Sequence, residues 1–115
     1  MTLQRTVEAV RAVLTDDLRR PPWKGSTCPV AGHCYVASEV VYHLAARDLG
    51  YKPATVRHEG VVHWFLIGPD GTIVDPTAEQ FVIPVPYALG RGRGFLTREP
   101  SARARVVMDR VRTEA

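Results

Sequence analysis

The chain has 115 residues, of which 45% are hydrophobic, and a net charge of +3. That length allows one domain with a single core, and the composition excludes a disordered chain. No apolar run reaches the ~18 residues of a membrane span, and the charged N-terminus lacks the apolar block of a signal peptide. We therefore expect a single domain over residues 1–115, no membrane partner, and a cytoplasmic location in which thiols stay reduced.

The first predicted element is an amphipathic helix over residues 3–18. Its apolar positions recur at spacings of three and four residues: Leu3, Val7, Val10, Leu14 and Leu18. Thr2 is suited to cap this helix, and Pro21-Pro22 stops it. The loop that follows, from Pro21 to Gly32, contains Trp23 and Cys28.

A second helix is predicted from Cys34 to Leu49, with Gly50 as the residue that ends it. Cys34 then lies in the first turn, where the positive end of the helix dipole favours a thiolate. The unpaired backbone N–H groups of that turn can also receive a developing oxyanion. The alternative for Cys34 is a small buried apolar residue, which is the usual role of a lone cysteine.

Three strands are predicted next, over residues 54–58, 61–67 and 72–75, and Gly68-Pro69-Asp70-Gly71 forms the turn between the last two. Proline and aspartate suit the centre of a type I turn, and Gly71 in the left-handed region completes a bulged three-residue hairpin. That register pairs Ile67 with Ile73. It places His63 on the same face as Asp75, whereas a loop one residue shorter or longer would separate them.

The other positions of this hairpin are apolar on both faces, so we expect the sheet to be covered on both sides. His63 and Asp75 are then polar residues in apolar surroundings, where each needs a hydrogen-bond partner, and we expect them to bind each other. Residues 82–87 are predicted to be extended, as an edge strand interrupted by Pro84 and Pro86. A flexible segment at residues 90–94 and a final helix over 100–112 complete the chain.

The C-terminal part of the chain is basic. It contains seven arginines, at positions 91, 93, 98, 103, 105, 110 and 112. Such a cluster suits an acidic partner, and Arg91 with Arg93 is a candidate clamp for an acidic substrate. The alternative is a solvated helix face without a partner.

Three motifs, Gly32-x-Cys34, His63-Trp64 and Asp75-Pro76-Thr77, resemble those of the transglutaminase-like branch of the papain-like superfamily. The resemblance implies an α+β fold in which the cysteine helix packs on a small antiparallel sheet, flanked by N- and C-terminal helices. It also implies a catalytic triad of Cys34, His63 and Asp75. Members of the superfamily include peptidases, amide crosslinkers and deamidases, and the related arylamine acetyltransferases share the triad.

The chain departs from the family in its length, in having His63 followed directly by Trp64, and at the position of an oxyanion donor. It is much shorter than most members, and Cys28 occupies the position of the papain-type glutamine. The second oxyanion donor is therefore open, between a backbone amide of the loop and side chains such as the Trp23 indole. The candidates for oxyanion or substrate contacts are Trp23, His33, Trp64, Arg91 and Arg93. For His33 a solvated loop position is the alternative.

From these residues we expect a cysteine-dependent hydrolase (a peptidase, isopeptidase or deamidase) that acts on an amide or thioester. The expected substrate is a protein or peptide-like amide, and an acidic one would suit the arginines. Neither a cofactor nor a metal is expected. Transglutaminase-type crosslinking or acyl transfer to an amine is the first alternative. A non-enzymatic binding module that uses the arginine-rich region is the second, although no nucleic-acid motif is present and nucleic acid is not the expected partner.

Two structural alternatives involve the cysteines. A zinc site could be built from Cys28, His33, Cys34 and either His43 or His58, although no pair of ligands has the usual spacing. A disulfide between Cys28 and Cys34 would remove the nucleophile.

Overall fold

The computed structural model describes residues 2–19, 24–25 and 32–114. These residues form three α-helices and an antiparallel sheet of four strands. The helices are α1 (Leu3–Ala12), α2 (Cys34–Val41) and α3 (Ala102–Glu114), and the strands are β1 (Lys52–His58), β2 (Val61–Ile67), β3 (Ile73–Val74) and β4 (Arg91–Gly92). The strand order across the sheet is β3-β2-β1-β4. The expected α+β class, with helices near both ends of the chain, is confirmed.

Helix α1 is shorter than the predicted helix over 3–18, because the chain leaves the helical conformation at Val13. The residues that follow form a separate 3-10 turn, Asp16–Leu18. Its two aspartates would oppose the dipole at the end of a longer helix, whereas at the start of a turn they are favourable. Arg110 of α3 donates hydrogen bonds to the Val13 carbonyl and the Thr15 hydroxyl, at 3.2 and 2.6 Å. A contact from the far end of the chain therefore helps to hold this break.

The second helical segment runs from Cys34 to Leu49, as predicted. It begins as α2, continues as a π-helical turn over Tyr42–Ala46, and ends as a 3-10 turn over Arg47–Leu49. Gly50 ends the segment with φ of 84°, in the left-handed region that glycine adopts without strain.

The hairpin between β2 and β3 has the predicted register. Leu66 pairs with Val74 and Ile67 with Ile73. The N–H of Gly68 donates to the carbonyl of Thr72 at 2.8 Å, and Gly71 has the expected left-handed φ of 84°. The three-residue turn therefore has the register that places Asp75 on the same face of the sheet as His63, as predicted.

Strand β3 is short, and it leaves the first half of β2 without a partner on that side. Helix α2 lies along this open edge. The Ser38 hydroxyl donates to the carbonyl of Trp64 at 3.2 Å, and the Cys34 sulfur lies 3.9 Å from the carbonyl oxygen of Val62. Because these carbonyls need partners, the open edge holds the start of α2 beside the residue that precedes His63.

Apolar side chains cover both faces of the sheet, as expected, although Val62 remains 38% exposed. Leu66 joins the larger core, which lies between the sheet and the three helices. Phe65 joins a smaller core on the opposite face, with Ala54, Val56 and Val85. Because side chains alternate along a strand, His63 shares the face of Phe65, and Trp64 shares that of Leu66.

The C-terminal third differs from the prediction in two places. Residues 82–87 do not form the predicted edge strand, because Pro84 and Pro86 have no N–H to donate. The edge strand is instead β4, which lies in the segment predicted to be flexible. The last helix begins at Ala102 rather than at Pro100, because the Ser101 hydroxyl caps it by accepting the N–H of Ala104 at 3.2 Å. No helix within the described ranges is long and apolar enough to cross a membrane.

Candidate active site

Cys34 is the first residue of α2 and is partly exposed. Its thiol is free, which argues against the alternative of a bridge to Cys28. Cys28 itself lies outside the described residues. At this position the backbone N–H groups of the first helical turn have no partner within the helix.

His63 and Asp75 form a buried pair. The His63 Nε2 lies 2.6 Å from an Asp75 carboxylate oxygen, and the side chains are 0% and 3% exposed. The distance is that of a short hydrogen bond between charged groups. The contact between His63 and Asp75, which the length of the turn predicted, is therefore present in the structure.

Asp75 is held in place by two further donors. The N–H of Thr77 donates to its other oxygen at 3.1 Å, and the Tyr87 hydroxyl donates to the oxygen that also binds His63, at 2.7 Å. Burial, and then the hydrogen bond to Asp75, raise the pKa of Tyr87 above its usual value. The phenol consequently stays protonated as a donor and fixes the carboxylate toward the imidazole.

The His63 ring is packed between aromatic side chains. Phe81 meets it edge-on with ring centres 4.8 Å apart, and Phe65 lies nearly parallel to it at 6.2 Å. Its second nitrogen, Nδ1, is buried and makes no hydrogen bond to any part of the chain that the structure describes. This leaves Nδ1 as the nitrogen available to the thiol.

The protonation of His63 reflects opposing influences. Burial lowers its pKa, but the hydrogen bond to Asp75, the interaction with the Cys34 thiol and the charge of Asp75 together outweigh burial and raise the pKa to about 9. Near neutral pH the ring is therefore an imidazolium. Such a ring can donate one N–H to Asp75 and the other to a thiolate, which is the arrangement of an activated cysteine nucleophile.

The predicted oxyanion and substrate candidates are dispersed. Trp23 lies outside the described residues. Trp64 points to the face opposite His63, where it is only 7% exposed and packs against Tyr35 and Phe95. Its position makes it a packing residue on the helix side of the sheet.

The backbone of both arginine candidates lies at the β4 edge of the sheet. Arg91 is in β4, which is separated from β2 by β1, and Arg93 follows it. The Arg93 guanidinium lies 5.5 Å above the ring of Trp64, on the helix side. The charged end of Arg93 therefore reaches over β2, on the face opposite His63.

The prediction of a solvated His33 is wrong, because this histidine is 0% exposed. Burial, followed by the charges of Arg19 and Arg103, lowers its pKa to about 4. Neither ring nitrogen makes a hydrogen bond to a described residue. The buried ring lies at the N-cap of α2 without capping the helix, and it is not exposed to a substrate.

Residues that the sequence did not single out also build the site. Tyr87 orients Asp75, and Phe81 packs against His63. Both come from the segment after β3. Because this segment contains two prolines, the sequence indicated only an extended chain there and no functional residue. Gly90 offered a weak signal, since a β-carbon there would lie 2.5 Å from the ring of Phe65 and the chain must pass closely over that face.

The described residues contain no group of three or more histidine, cysteine or acidic side chains that could hold a metal ion. The zinc alternative also needs Cys28, which lies outside them.

Searches of protein-family models, curated proteins and solved structures find nothing that matches the chain. The class that the described residues define is therefore a small α+β protein with a cysteine at a helix start beside a buried histidine–aspartate pair.

We expect the folded state to be most stable near pH 6.5. The pKa of His33 lies at about 4 in the folded protein, below its ordinary value of 6.5, so its contribution is lost as the pH falls from 6.5 toward 4. The pKa of His63 lies at about 9, above the same ordinary value, so its contribution is lost as the pH rises from 6.5 toward 9. Urea unfolding midpoints measured from pH 4 to pH 9 test both the acid and the alkaline side of this dependence of stability on pH.

Two variants separate the loss of stability at acid pH (the acid limb) from the loss at alkaline pH (the alkaline limb). Asp75→Asn should flatten the alkaline limb, because the hydrogen bond and charge that hold the proton on His63 are then weakened. His33→Gln should flatten the acid limb between pH 5 and 6.5. A wild-type protein whose stability rises steadily from pH 6.5 to 9 would contradict the assignment of His63 as an imidazolium.

Proposed function

We propose that this chain is a cysteine-dependent acyl-transfer enzyme, acting as a hydrolase on an amide or thioester through Cys34, His63 and Asp75. The observation that carries the proposal is the buried His63–Asp75 pair, whose remaining ring nitrogen has no other described partner. The start of α2, which brings the thiol, lies along the same stretch of β2. A buried charged pair of this kind is costly to maintain, and perturbed ionisable groups of this kind concentrate at functional sites.

In the proposed mechanism the Cys34 thiolate attacks the carbonyl carbon, forming a carbon–sulfur bond while the carbonyl oxygen takes up the electron pair. Backbone N–H groups at the start of α2 stabilise that oxyanion. The His63 imidazolium gives its proton to the leaving amine or thiol as that bond breaks. His63 then takes a proton from water, the hydroxide attacks the thioester, and the acid and free thiol are released.

The finer fold assignment belongs to the same proposal. A nucleophile helix against an antiparallel sheet, a histidine on one strand and an aspartate after the next strand agree with a papain-like, transglutaminase-like core.

Water is the proposed acyl acceptor, and a protein or peptide-like amide is the proposed substrate. Cys34 is partly exposed, so water can reach a thioester formed on it. Transfer to an amine is the alternative reaction on the same intermediate, and added hydroxylamine or lysine would reveal it by diverting the acyl group.

The contacts of the basic tail favour the enzyme over a charged binding module. Arg110 binds Thr15 and Asp17, Arg103 donates to the Leu18 carbonyl, and Arg112 pairs with Asp109. These arginines join α3 to the rest of the fold or to itself. Their charge is therefore partly used within the molecule.

The thiol chemistry tests the proposal directly. We expect Cys34 to react with iodoacetamide faster than Cys28 at pH 6 to 7, where an ordinary thiol is mostly protonated. An activated thioester substrate should show a burst of one leaving group per protein, followed by steady hydrolysis. Cys34→Ala should abolish both the burst and the turnover without changing the fold. Equal alkylation of the two cysteines in folded protein, with no burst, would overturn the proposal.

A further inference from the structure

A cleft lies on the helix side of the sheet, between the end of the α2 helical segment and residues 92–98. Its volume is about 540 Å³, within the range of small-molecule binding sites. It is lined by Tyr42, His43, the start of β1 at Lys52 and Pro53, and residues 92–95, 97 and 98. His63 points to the other face of the sheet, so the cleft is separate from the proposed active site.

Three cationic side chains line this cleft: Lys52, Arg93 and Arg98. None of them forms an ion pair with a residue that the structure describes, and Arg93 is oriented by its contact with the ring of Trp64. Three cations placed together repel one another unless an anion binds between them. All three are exposed to solvent, which screens their repulsion in part, and an anion bound between them would lower it further.

The nearby acidic residues do not remove this excess. Both carboxylate oxygens of Glu39 are taken by Ser101, which donates its N–H and its hydroxyl at 2.8 and 2.7 Å. Glu99, next to Arg98, acts on His43 only through its charge. The two carboxylates that act on His43 through their charge, Glu39 and Glu99, thus stand against three cations.

The walls provide room and unpaired polar groups. Gly92 and Gly94 have open space where a β-carbon would lie, so the backbone is accessible to a ligand. The rings of Tyr42 and Phe95 give an apolar side. His43 lies in the π-helical turn Tyr42–Ala46, and its Nε2 makes no hydrogen bond to the described chain. Single π-helical turns are frequent at functional sites, since they displace a side chain from the regular helix path.

We propose that this cleft binds a small molecule carrying two adjacent phosphate groups, held by Lys52, Arg93 and Arg98. Guanidinium groups bind phosphate oxygens through paired N–H donors, and lysine adds a point charge. A diphosphate matches the three positive charges more closely than a single carboxylate does. The rings of Tyr42 and Phe95 contact the organic part of the ligand.

Calorimetric titration with inorganic pyrophosphate tests this site, with sodium sulfate at matched ionic strength as the competing anion. We expect one saturable site per chain, weakened about tenfold by Lys52→Gln or by Arg98→Gln, since one charged contact is worth about 1.4 kcal/mol. Arg57→Gln and Arg91→Gln remove the same charge from exposed positions outside the cleft and should leave the affinity unchanged.

A second readout comes from His43. Burial is the main influence that lowers its pKa in the free protein, followed by the charge of Glu39, which raises it, and that of Arg47, which lowers it. A bound diphosphate should raise that pKa, visible as a shift in the titration of the His43 ring signals by NMR. Cys34→Ala should bind pyrophosphate as the wild type does, so this test and that of the proposed enzyme can fail independently.

Absence of saturable binding up to millimolar pyrophosphate would overturn the proposal. Equal weakening by the cleft variants and by the two control variants would also overturn it, since the binding would then reflect only the general positive charge. Displacement by sulfate at the same concentration as pyrophosphate would have the same meaning.

Discussion

Replacing His63 with alanine should lower the alkylation rate of Cys34 at pH 6 by roughly 10- to 100-fold. The reason is that the imidazolium, whose pKa is raised to about 9, stabilises the thiolate at a pH where an ordinary thiol is protonated. Hydrolysis of a thioester substrate should fall by roughly 100-fold or more, since the general acid and base are lost together. Stopped-flow alkylation and single-turnover kinetics measure the two effects.

The partners of His63 should give graded losses. Asp75→Asn keeps the shape of the side chain but weakens the 2.6 Å contact, so its loss should approach that of His63→Ala. Tyr87→Phe removes one hydrogen bond from the same carboxylate oxygen and should cost roughly fivefold, the value of one ordinary hydrogen bond.

His58→Ala is the matched control for the histidine. His58 packs against Phe81 at 4.8 Å, as His63 does, but its Nε2 contacts the carbonyl of Ile83 and not Asp75. We expect thiol reactivity to remain at the wild-type level in this variant. If His58→Ala slowed alkylation as much as His63→Ala, packing of the Phe81 segment rather than the imidazolium would explain both results.

The sequence predicted the part of the site that depends on local chemistry. The turn Gly68–Gly71 requires a left-handed glycine, and this single requirement determines the β2–β3 register and the contact between His63 and Asp75. The start and end of the α2 segment were similarly readable, because the apolar spacing begins at Cys34 and Gly50 is a suitable last residue.

The sequence did not reveal what depends on contacts between distant segments. Helix α1 stops at Ala12 partly because Arg110, from the other end of the chain, binds the backbone after it. The support that Tyr87 gives to Asp75 requires the chain to return over the β1–β2 face, and no local pattern specifies that path. His33 is polar and follows a glycine, so its sequence context indicated exposure although the fold buries it.

The arginines show the same division. Their clustering after Gly90 was evident in the sequence and suggested a clamp beside the thiol. The pairing of Arg91 with Thr55 places β4 at the opposite edge of the sheet from β3, however, and this moves the cationic group to a separate cleft. Charge composition suggested an acidic partner, and the strand order places Arg93 at the cleft proposed above to bind a diphosphate.

Replacing Glu39 with alanine should lower the free energy of unfolding by about 3 kcal/mol, because it leaves buried hydrogen-bond donors without an acceptor. Glu39 is 0% exposed in α2, and its carboxylate accepts the N–H and the hydroxyl of Ser101, the residue that caps α3. The negative charge also lies at the favourable, N-terminal end of the α3 dipole. Urea unfolding followed by circular dichroism gives the value.

A double-mutant cycle distinguishes this contact from a general effect of removing a buried side chain. Ser101→Ala removes the hydroxyl, so the loss from Glu39→Ala should be smaller in that background, with a coupling of about 1 kcal/mol or more. Glu8→Ala, at an exposed position of α1, should change stability by no more than about 0.5 kcal/mol. Additive losses from Glu39→Ala and Ser101→Ala would show that the carboxylate does not hold the start of α3. Because α2 carries Cys34 at its first residue, the alkylation rate of Cys34 in the same variants would show whether the α2–α3 contact also supports the position of the thiol.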